Sequence, residues 1–457
     1  MLPFYRSYRL LIFFLLVQIS PICTNGSFAQ SRVSIEYHFP MDGSKYVPPQ
    51  SSIIIRSSGI IDGSSASANA FFVTGSSSGK HDGTIMISDD RRTVVFTPSS
   101  PFEFGEQVSV QLQSGLRTTD GTPLPPLSFS FETYPFEPSQ NKVEVPFIEP
   151  PTSLSFDEPA SLPADLPRVT ILANNNPAPG KIFLTTFNFD GGSVGGYRMI
   201  IDSLGNPVYY AAPSRFLNWD FKQLPDGRYA FCQGGYAPQS SSRMDSGSKY
   251  FIMDSNFVIR DSFDAATANT PYITDFHDFE LLPHGHALML GLATNSGVDM
   301  SQYVTGGKKN AVFLGAVIEE LDSLKNAIWI WRSWDPGHFL DTDAVNLSFT
   351  TDTIDGVHAN AIEVDTDGNI LLSSRHLSEI TKINRFDTGS IIWRFGGKHN
   401  QFTFVNDSIH FSWQHAIRRL TNGHLTLFDN GNWNHFVATL YEMHIDSSSI
   451  PWDTVYD

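Results

Sequence analysis

One short unit occurs four times beyond residue 168 of this chain. Leu224-Pro225-Asp226-Gly227 leads into Tyr229-Ala230-Phe231, and Leu282-Pro283-His284-Gly285 into Ala287-Leu288-Met289-Leu290. Asp365-Thr366-Asp367-Gly368 leads into Ile370-Leu371-Leu372, and Leu420-Thr421-Asn422-Gly423 into Leu425-Thr426-Leu427-Phe428. Each reads as a strand, a tight turn with glycine where positive φ is needed, and a second apolar strand. A second kind of turn alternates with these: Asp202-Ser203-Leu204-Gly205-Asn206, Asp254-Ser255-Asn256, Asp322-Ser323-Leu324-Lys325 and Asp387-Thr388-Gly389. The last two run into Ile328-Trp329-Ile330-Trp331 and Ile391-Ile392-Trp393-Arg394. Two hairpins per unit make a four-stranded sheet. The tips at Asp226, His284, Asp367 and Asn422 stand 58, 83 and 55 residues apart, which suits such sheets with insertions. Repeated sheets of this kind stack radially as a β-propeller, with Trp329, Trp331 and Trp393 expected in its core. Helical periodicity is nearly absent after residue 168.

The preceding residues divide into three further parts, as expected of 457 residues, which exceed what one core usually serves. Arg6 and Arg9, the apolar run Leu10 to Val17 and the small-x-small site Ser27-Phe28-Ala29 describe a secretory signal peptide over 1–29. That run is well short of the ~20 residues that cross a bilayer, and no later segment is long and apolar enough. The expected location is therefore outside the cytoplasm, in a periplasm or secreted to the cell surface. Cleavage removes Cys23 and leaves Cys232 alone, so no intrachain disulfide is available. Residues 30–134 carry short strands such as Ile53-Ile54-Ile55, Val108-Ser109-Val110 and Phe129-Ser130-Phe131, many alternating polar with apolar, which suits a β-sandwich with one wet face. Residues 135–167 hold eight prolines, which forbid a regular helix or ladder and mark a linker. The propeller domain then occupies 168–457.

The formal net charge is −17, and loss of two arginines with the leader makes it −19. That sign repels phosphate backbones and argues against nucleic acid as a partner. Asp365-Thr366-Asp367-Gly368 lacks the downstream Glu of a calcium loop, and no helix follows Gly191 to Gly196, so neither motif carries a ligand.

Three segments depart from a surface hairpin. They are Asp275-Phe276-His277-Asp278-Phe279, then Gly356-Val357-His358-Ala359-Asn360-Ala361 with its return Ser373-Ser374-Arg375-His376, and Phe411-Ser412-Trp413-Gln414-His415-Ala416. His277 stands seven residues before His284, His358 nine before Asp367 and His415 seven before Asn422. Equivalent positions in successive blades lie at equivalent radii, so these imidazoles are expected to converge on the axis beside Arg375. His284, His286, His338, His399, His410 and His424 read as packed or surface residues.

His358-Ala359-Asn360 with Ser373-Ser374-Arg375-His376, then Trp413-Gln414-His415 and Leu427-Phe428-Asp429-Asn430-Gly431, together resemble the arylsulfotransferases. Pro40-Met41-Asp42-Gly43-Ser44, Phe96-Thr97-Pro98 and Phe129-Ser130-Phe131-Glu132-Thr133 resemble bacterial Ig-like domains. The resemblance implies an all-β chain: an Ig-like sandwich, then a propeller of about six blades. The chain ends soon after Leu440 to His444, which sets the expectation of an incomplete last blade. It also implies transfer of a sulfuryl group from an aryl sulfate donor to a phenolic acceptor through a sulfohistidine. No cofactor, nucleotide donor or metal is called for. Carried over by position, His415 is the nucleophile, with His277, His358 and Arg375 catalytic and Asn360 and His376 at the substrate. Neutral imidazole attacks sulfur, and the anionic sulfuryl oxygens need fixed donors, best supplied by an arginine fork. Activity is expected to fall below ~6.5, the ordinary imidazole value. Two other readings compete: a metal-dependent enzyme with His277, His358 and His415 as ligands, and a non-catalytic exported propeller that binds a partner.

Overall fold

The computed structural model describes residues 33–137, 162–186, 196–211, 217–234, 248–266, 270–340, 342–433, 439–446 and 454–456. The signal-peptide segment 1–29, most of the proline-rich stretch and Gly191 to Gly195 lie outside the described residues.

The N-terminal part is two packed antiparallel-rich sheets. One orders Ile35–Phe39, Ile53–Ser57, Thr93–Pro98 and Gly83–Ile87; the other Ser44–Val47, Leu127–Thr133, Gln107–Leu112, Phe71–Gly75 and Gly79–His81. Gln107–Leu112 alternates exposed and buried residues, the two-residue period of a strand with one face in the core. Ile53, Ile55, Val94, Phe96, Val108, Val110, Phe129 and Phe131 fill the space between the sheets. The first sheet differs from the expected wet-faced pattern. Ile54, Val95, Tyr37 and Phe39 point away from that core and join the apolar cluster of the C-terminal part, so both faces are buried. This is why Ile53-Ile54-Ile55 shows no polar alternation.

From Ile182 onward the strands form five consecutive up-and-down sheets. The first has three strands, Ile182–Thr185, Arg198–Ile201 and Pro207–Ala211. The second runs Leu217–Gln223, Tyr229–Gly234, Lys249–Met253, Ile259–Phe263, and the third Ile273–Leu281, Ala287–Val298, Ala311–Leu321, Ala327–Arg332. The fourth runs Ala359–Val364, Ile370–Ser374, Glu379–Ile383, Ile391–Gly396, and the fifth His415–Arg419, Leu425–Asp429, Thr439–Asp446, Thr454–Tyr456. Thr403–Val405 adds to the last in parallel. Among the described strands it is thus the first sheet, rather than the last, that has fewest. The opening strands of successive sheets contact one another and line the inside, the arrangement of propeller blades.

The repeated turns do what their residues dictate. Gly227 and Gly423 sit at φ 87° with open space where a side chain would go, so conformation alone requires glycine there. In the alternate turns the aspartate caps its own backbone. Asp202 Oδ1 accepts from Leu204 N and Asn206 N, both at 2.9 Å, and Asp322 Oδ1 from Leu324 N and Asn326 N at 3.0 and 2.8 Å. Trp329 and Trp331 are fully buried, and their indole N–H groups donate to the carbonyls of Asp387 and Gly389 in the next blade. A side chain on Gly389 would stand 2.4 Å from the Trp331 ring, which explains that glycine. No helix among the described residues is long and apolar enough to cross a membrane.

Candidate active site

Each inner strand from the second blade onward carries an irregularity in its pairing. The register slips between Trp219 and Lys222, Thr274 and Phe279, Ala359 and Ala361, and His415 and Arg418. Such bulges bend a strand and re-aim its side chains. Four residues at these places hold left-handed backbone: Asp220 (φ 42°), His358 (φ 51°), Trp413 (φ 56°) and Ala416 (φ 55°). Non-glycine residues pay ~1–3 kcal/mol each for this, and they cluster where geometry serves function.

The bulges turn three imidazoles together. The His277 ring centroid lies 5.2 Å from that of His358 and 6.1 Å from that of His415. Each ring is fixed through Nδ1, and the partners differ. His277 Nδ1 donates to Asp275 Oδ1 at 2.6 Å, and His358 Nδ1 to Asp355 Oδ2 at 2.5 Å. His415 Nδ1 donates to the uncharged amide oxygen of Asn430 at 2.7 Å. All three hydrogen bonds leave Nε2 as the outward nitrogen.

The surroundings separate the rings electrostatically. Burial works to lower the pKa of His277, but Asp275, with Asp355 and Asp220 behind it, holds it above the ordinary value. For His415 burial is the largest cause and points down. The Asn430 bond works the other way, and the charges of His277, His358 and Arg375 complete the fall to about 4. Burial would raise Asp355, yet its bond to His358 and the nearby His376 and Arg375 keep it below the usual carboxylate value.

Arg375 completes the group. Its guanidinium lies 3.7 Å over the Trp413 ring, and Nη1 donates to His376 Nε2 at 2.6 Å. His376 Nδ1 donates to the Asp355 carbonyl at 2.5 Å, so both ring nitrogens are occupied. Burial foremost lowers its pKa to about 4, consistent with the neutral ring these bonds require. His376, expected at the substrate, therefore acts as a brace for Arg375. Asn360, also expected there, spends an amide hydrogen on the Gln414 carbonyl at 2.8 Å and fixes the residue before His415. Gln414 is itself buried and donates to Ser373 Oγ and the Glu379 carbonyl, both at 3.0 Å.

Three side chains that hold the imidazoles were not among the expected site residues: Asp275, Asp355 and Asn430. Their only signals were nearness, two and three residues before His277 and His358, and membership of the Asp429-Asn430-Gly431 motif. Of the histidines read as unremarkable, His286 bridges Asp89 of the sandwich at 2.9 Å and Glu320 at 3.4 Å. His338 stacks on Trp331 and binds the Arg332 carbonyl at 2.7 Å.

The ligand atoms of Asp355, His358 and His376 lie within 4.8 Å of one another, a spacing a metal could use. The residues fit that use poorly, since His376 has no free nitrogen and Arg375 places a fixed cation against it. This is also a different set from the three imidazoles weighed from sequence. Beside the cluster a partly open pocket is lined by the third blade and the start of the fourth. Ile273, Phe276, Leu292, Leu314 and Ala316 give it apolar walls, and His277, His358, Asp275 and Asp355 also line it.

A sequence model of the family described as arylsulfotransferase matches residues 174–450. The chain belongs to that family. The matched segment takes in the strands of all five propeller sheets up to Asp446 and every residue of the cluster. A second model, of a bacterial Ig-like domain, matches residues 29–133, the sandwich. No curated protein matches the chain significantly. Among solved structures it is similar to a protein of unknown function from Bacteroides caccae, at 10% identity and TM-score 0.32, covering 55% of this chain and 66% of that one. It is also similar to a protein of unknown function from Bacteroides thetaiotaomicron, at 12% identity and TM-score 0.31, covering 88% of this chain and 82% of that one. Virginiamycin B lyase from Staphylococcus aureus aligns at 10% identity and TM-score 0.26, over 55% of this chain and 64% of that one, so the chain spans less than two-thirds of the lyase.

Proposed function

We propose that this arylsulfotransferase moves a sulfuryl group from an aryl sulfate to a phenol through a sulfated His415, without a nucleotide donor. The observation that carries the reading is the unequal backing of three gathered imidazoles. An uncharged amide holds His415 with its Nε2 lone pair available, while carboxylates hold His277 and His358.

In the first half-reaction His415 Nε2 attacks sulfur and the S–O bond to the aryl group breaks. The electron pair of that bond leaves on the phenolate oxygen. Its ordinary pKa of ~10 makes a proton from the His277 imidazolium valuable at that moment. In the second, an acceptor phenol gives its proton to the now neutral His277 and its oxygen attacks sulfur. The N–S bond breaks and returns its pair to His415, so nothing is oxidised or reduced. Through both steps the sulfuryl oxygens stay anionic. Arg375, braced by Trp413 and His376, is the fixed donor for that charge, with His358 beside it. The apolar cavity suits the aromatic bodies of donor and acceptor. The N-terminal Arg6, Arg9 and Leu10 to Val17 pattern supports export as the setting.

Steady-state kinetics with 4-nitrophenyl sulfate and phenol test the reading. Double-reciprocal plots at several acceptor concentrations should be parallel, with no nucleotide added, and His415→Ala should abolish turnover. Intersecting lines, or a His415→Ala variant keeping most of the rate, would overturn it.

A further inference from the structure

We infer that Asn430 is a positioning residue whose uncharged side chain holds His415 as the Nδ1–H tautomer and so keeps the Nε2 lone pair free for attack. The inference deepens the proposed reaction and rests on it for its consequence in turnover, though not for its geometry.

Asn430 is fixed independently of His415. The buried carboxylate of Asp429 accepts from Gly431 N and from Ser412 N, both at 2.8 Å, and Gly431 N donates to the Ser412 carbonyl at 3.1 Å. The end of Leu425–Asp429 is thereby clamped to the segment that enters His415. On the other flank Asn360 holds the Gln414 carbonyl. Donor and acceptor meet at 2.7 Å between two immobilised backbones. With Asn430 Oδ1 accepting, the ring proton must be on Nδ1, and the lone pair falls to Nε2.

What stands at this position also decides the charge. The groups facing His415 are His277 from the third blade, and His358 and Arg375 from the fourth. Their carboxylates, Asp275 and Asp355, are spent on His277 and His358. A carboxylate at 430 would be the only one bonded to the His415 ring. It would favour the imidazolium there as Asp275 does for His277, and so remove the nucleophile at low pH. Asparagine keeps the acceptor geometry and omits the charge.

The full chain with ¹⁵N-labelled histidine reads this directly, assigned by loss of the His415 signal in His415→Ala. His415 should be protonated on Nδ1 in the wild type and should titrate below the ordinary imidazole range. In Asn430→Asp, nearly isosteric, the same tautomer should titrate higher, by on the order of two pH units. The acidic limb of sulfuryl transfer should move up with it, while the rate above that limb stays within about tenfold. Asn430→Ala should lose about 10–100-fold at every pH, the usual cost of removing a partner behind a reacting imidazole. A wild-type ring protonated on Nε2, meaning that the amide donates instead, would overturn the inference. So would an Asn430→Asp protein whose His415 titration and acidic limb stay in place. Should the tautomer and titration behave as expected while no aryl sulfate is turned over, the proposed reaction falls and the positioning role stands.

Discussion

His277, His358 and His415 share one side chain and differ in what stands behind it, and the pH dependence follows from that difference. His415 must be neutral to attack, so sulfation is lost as pH falls through about 4, far lower than the ordinary imidazole value that sequence suggests. His277 must carry a proton to assist the leaving phenolate, and its pKa is held above the ordinary ~6.5, so that assistance is lost as pH rises through the raised value. The predicted profile of the first half-reaction is a plateau that begins at about 4 and ends at the raised value of His277, measurable by stopped-flow release of 4-nitrophenol. An acidic limb close to 6.5 would show that burial and the neighbouring cations do not act on His415 as described. The imidazoles themselves were legible in the sequence because each precedes a repeated turn by a similar spacing. The groups that set their charges were not. Asn430 lies fifteen residues beyond His415 and meets it only because two strands pair, and nothing in one dimension distinguishes an amide aimed at a ring from a turn residue. The internal partners of His376 and Asn360 were hidden for a related reason. Their types suit an anion, yet both ring nitrogens of His376 bond Arg375 and Asp355, and one amide hydrogen of Asn360 bonds Gln414.

At the scale of elements, the inner strands support the histidine layer with a buried set of charges. Asp278, fully buried, accepts from Lys222 Nζ at 2.5 Å and from Ile362 N at 2.9 Å, and pairs with Arg418 at 3.0 Å. Three inner strands of three blades meet on this one carboxylate. Burial alone would raise its pKa, but Arg418 and Lys222 hold it low. Asp278→Ala would remove the carboxylate that Lys222 and Arg418 share, leaving Lys222 with Asp220 at 2.7 Å and Arg418 with Glu363 at 3.9 Å. It should destabilise the protein by about 3–5 kcal/mol in equilibrium urea unfolding. Asp226→Ala, which removes an exposed pair with Arg228 on a hairpin tip, should cost under about 1 kcal/mol. Equal effects of the two would mean that the axial ions are solvated rather than buried. The hairpins were readable because glycine, aspartate and proline have conformational needs that do not depend on distant contacts. The bulges were not, because an extra residue in a strand looks in sequence like a lapse of alternation. Yet it is the bulges at His277, Asn360 and His415 that aim the site.

Across the whole molecule, the Ig-like sandwich is fastened to the third propeller blade. Tyr37 Oη donates to the Ile330 carbonyl at 3.1 Å and accepts from Ile330 N at 2.8 Å, entering the hydrogen-bonding of the blade's outer strand. Ser44 Oγ donates to Asp335 Oδ1 at 2.9 Å, and Trp334 Nε1 to the Lys45 carbonyl at 3.2 Å. With Phe39, Ile54 and Val95 in the propeller's apolar cluster, the two parts should unfold together. Calorimetry should show one transition. Tyr37→Phe, which strands two buried backbone groups, should lower stability by about 1–3 kcal/mol while keeping that transition single. Two separated transitions in the wild type would contradict the packing. The expectation from sequence is a sandwich with one wet face, since a sheet's second buried face is announced only by missing polar residues, as in Ile53-Ile54-Ile55.

Everything proposed for the chemistry depends on one covalent event at one nitrogen. Intact-mass spectrometry of the full chain mixed with 4-nitrophenyl sulfate, without acceptor, reads it directly. It should be run at neutral or alkaline pH, because an N-sulfo imidazole is acid-labile. The wild type should gain a single sulfuryl group, mapped by fragmentation to His415 and discharged on adding phenol, and His415→Ala should gain none. An unmodified wild-type protein that still transfers sulfate, or a label residing on another residue, would contradict the account.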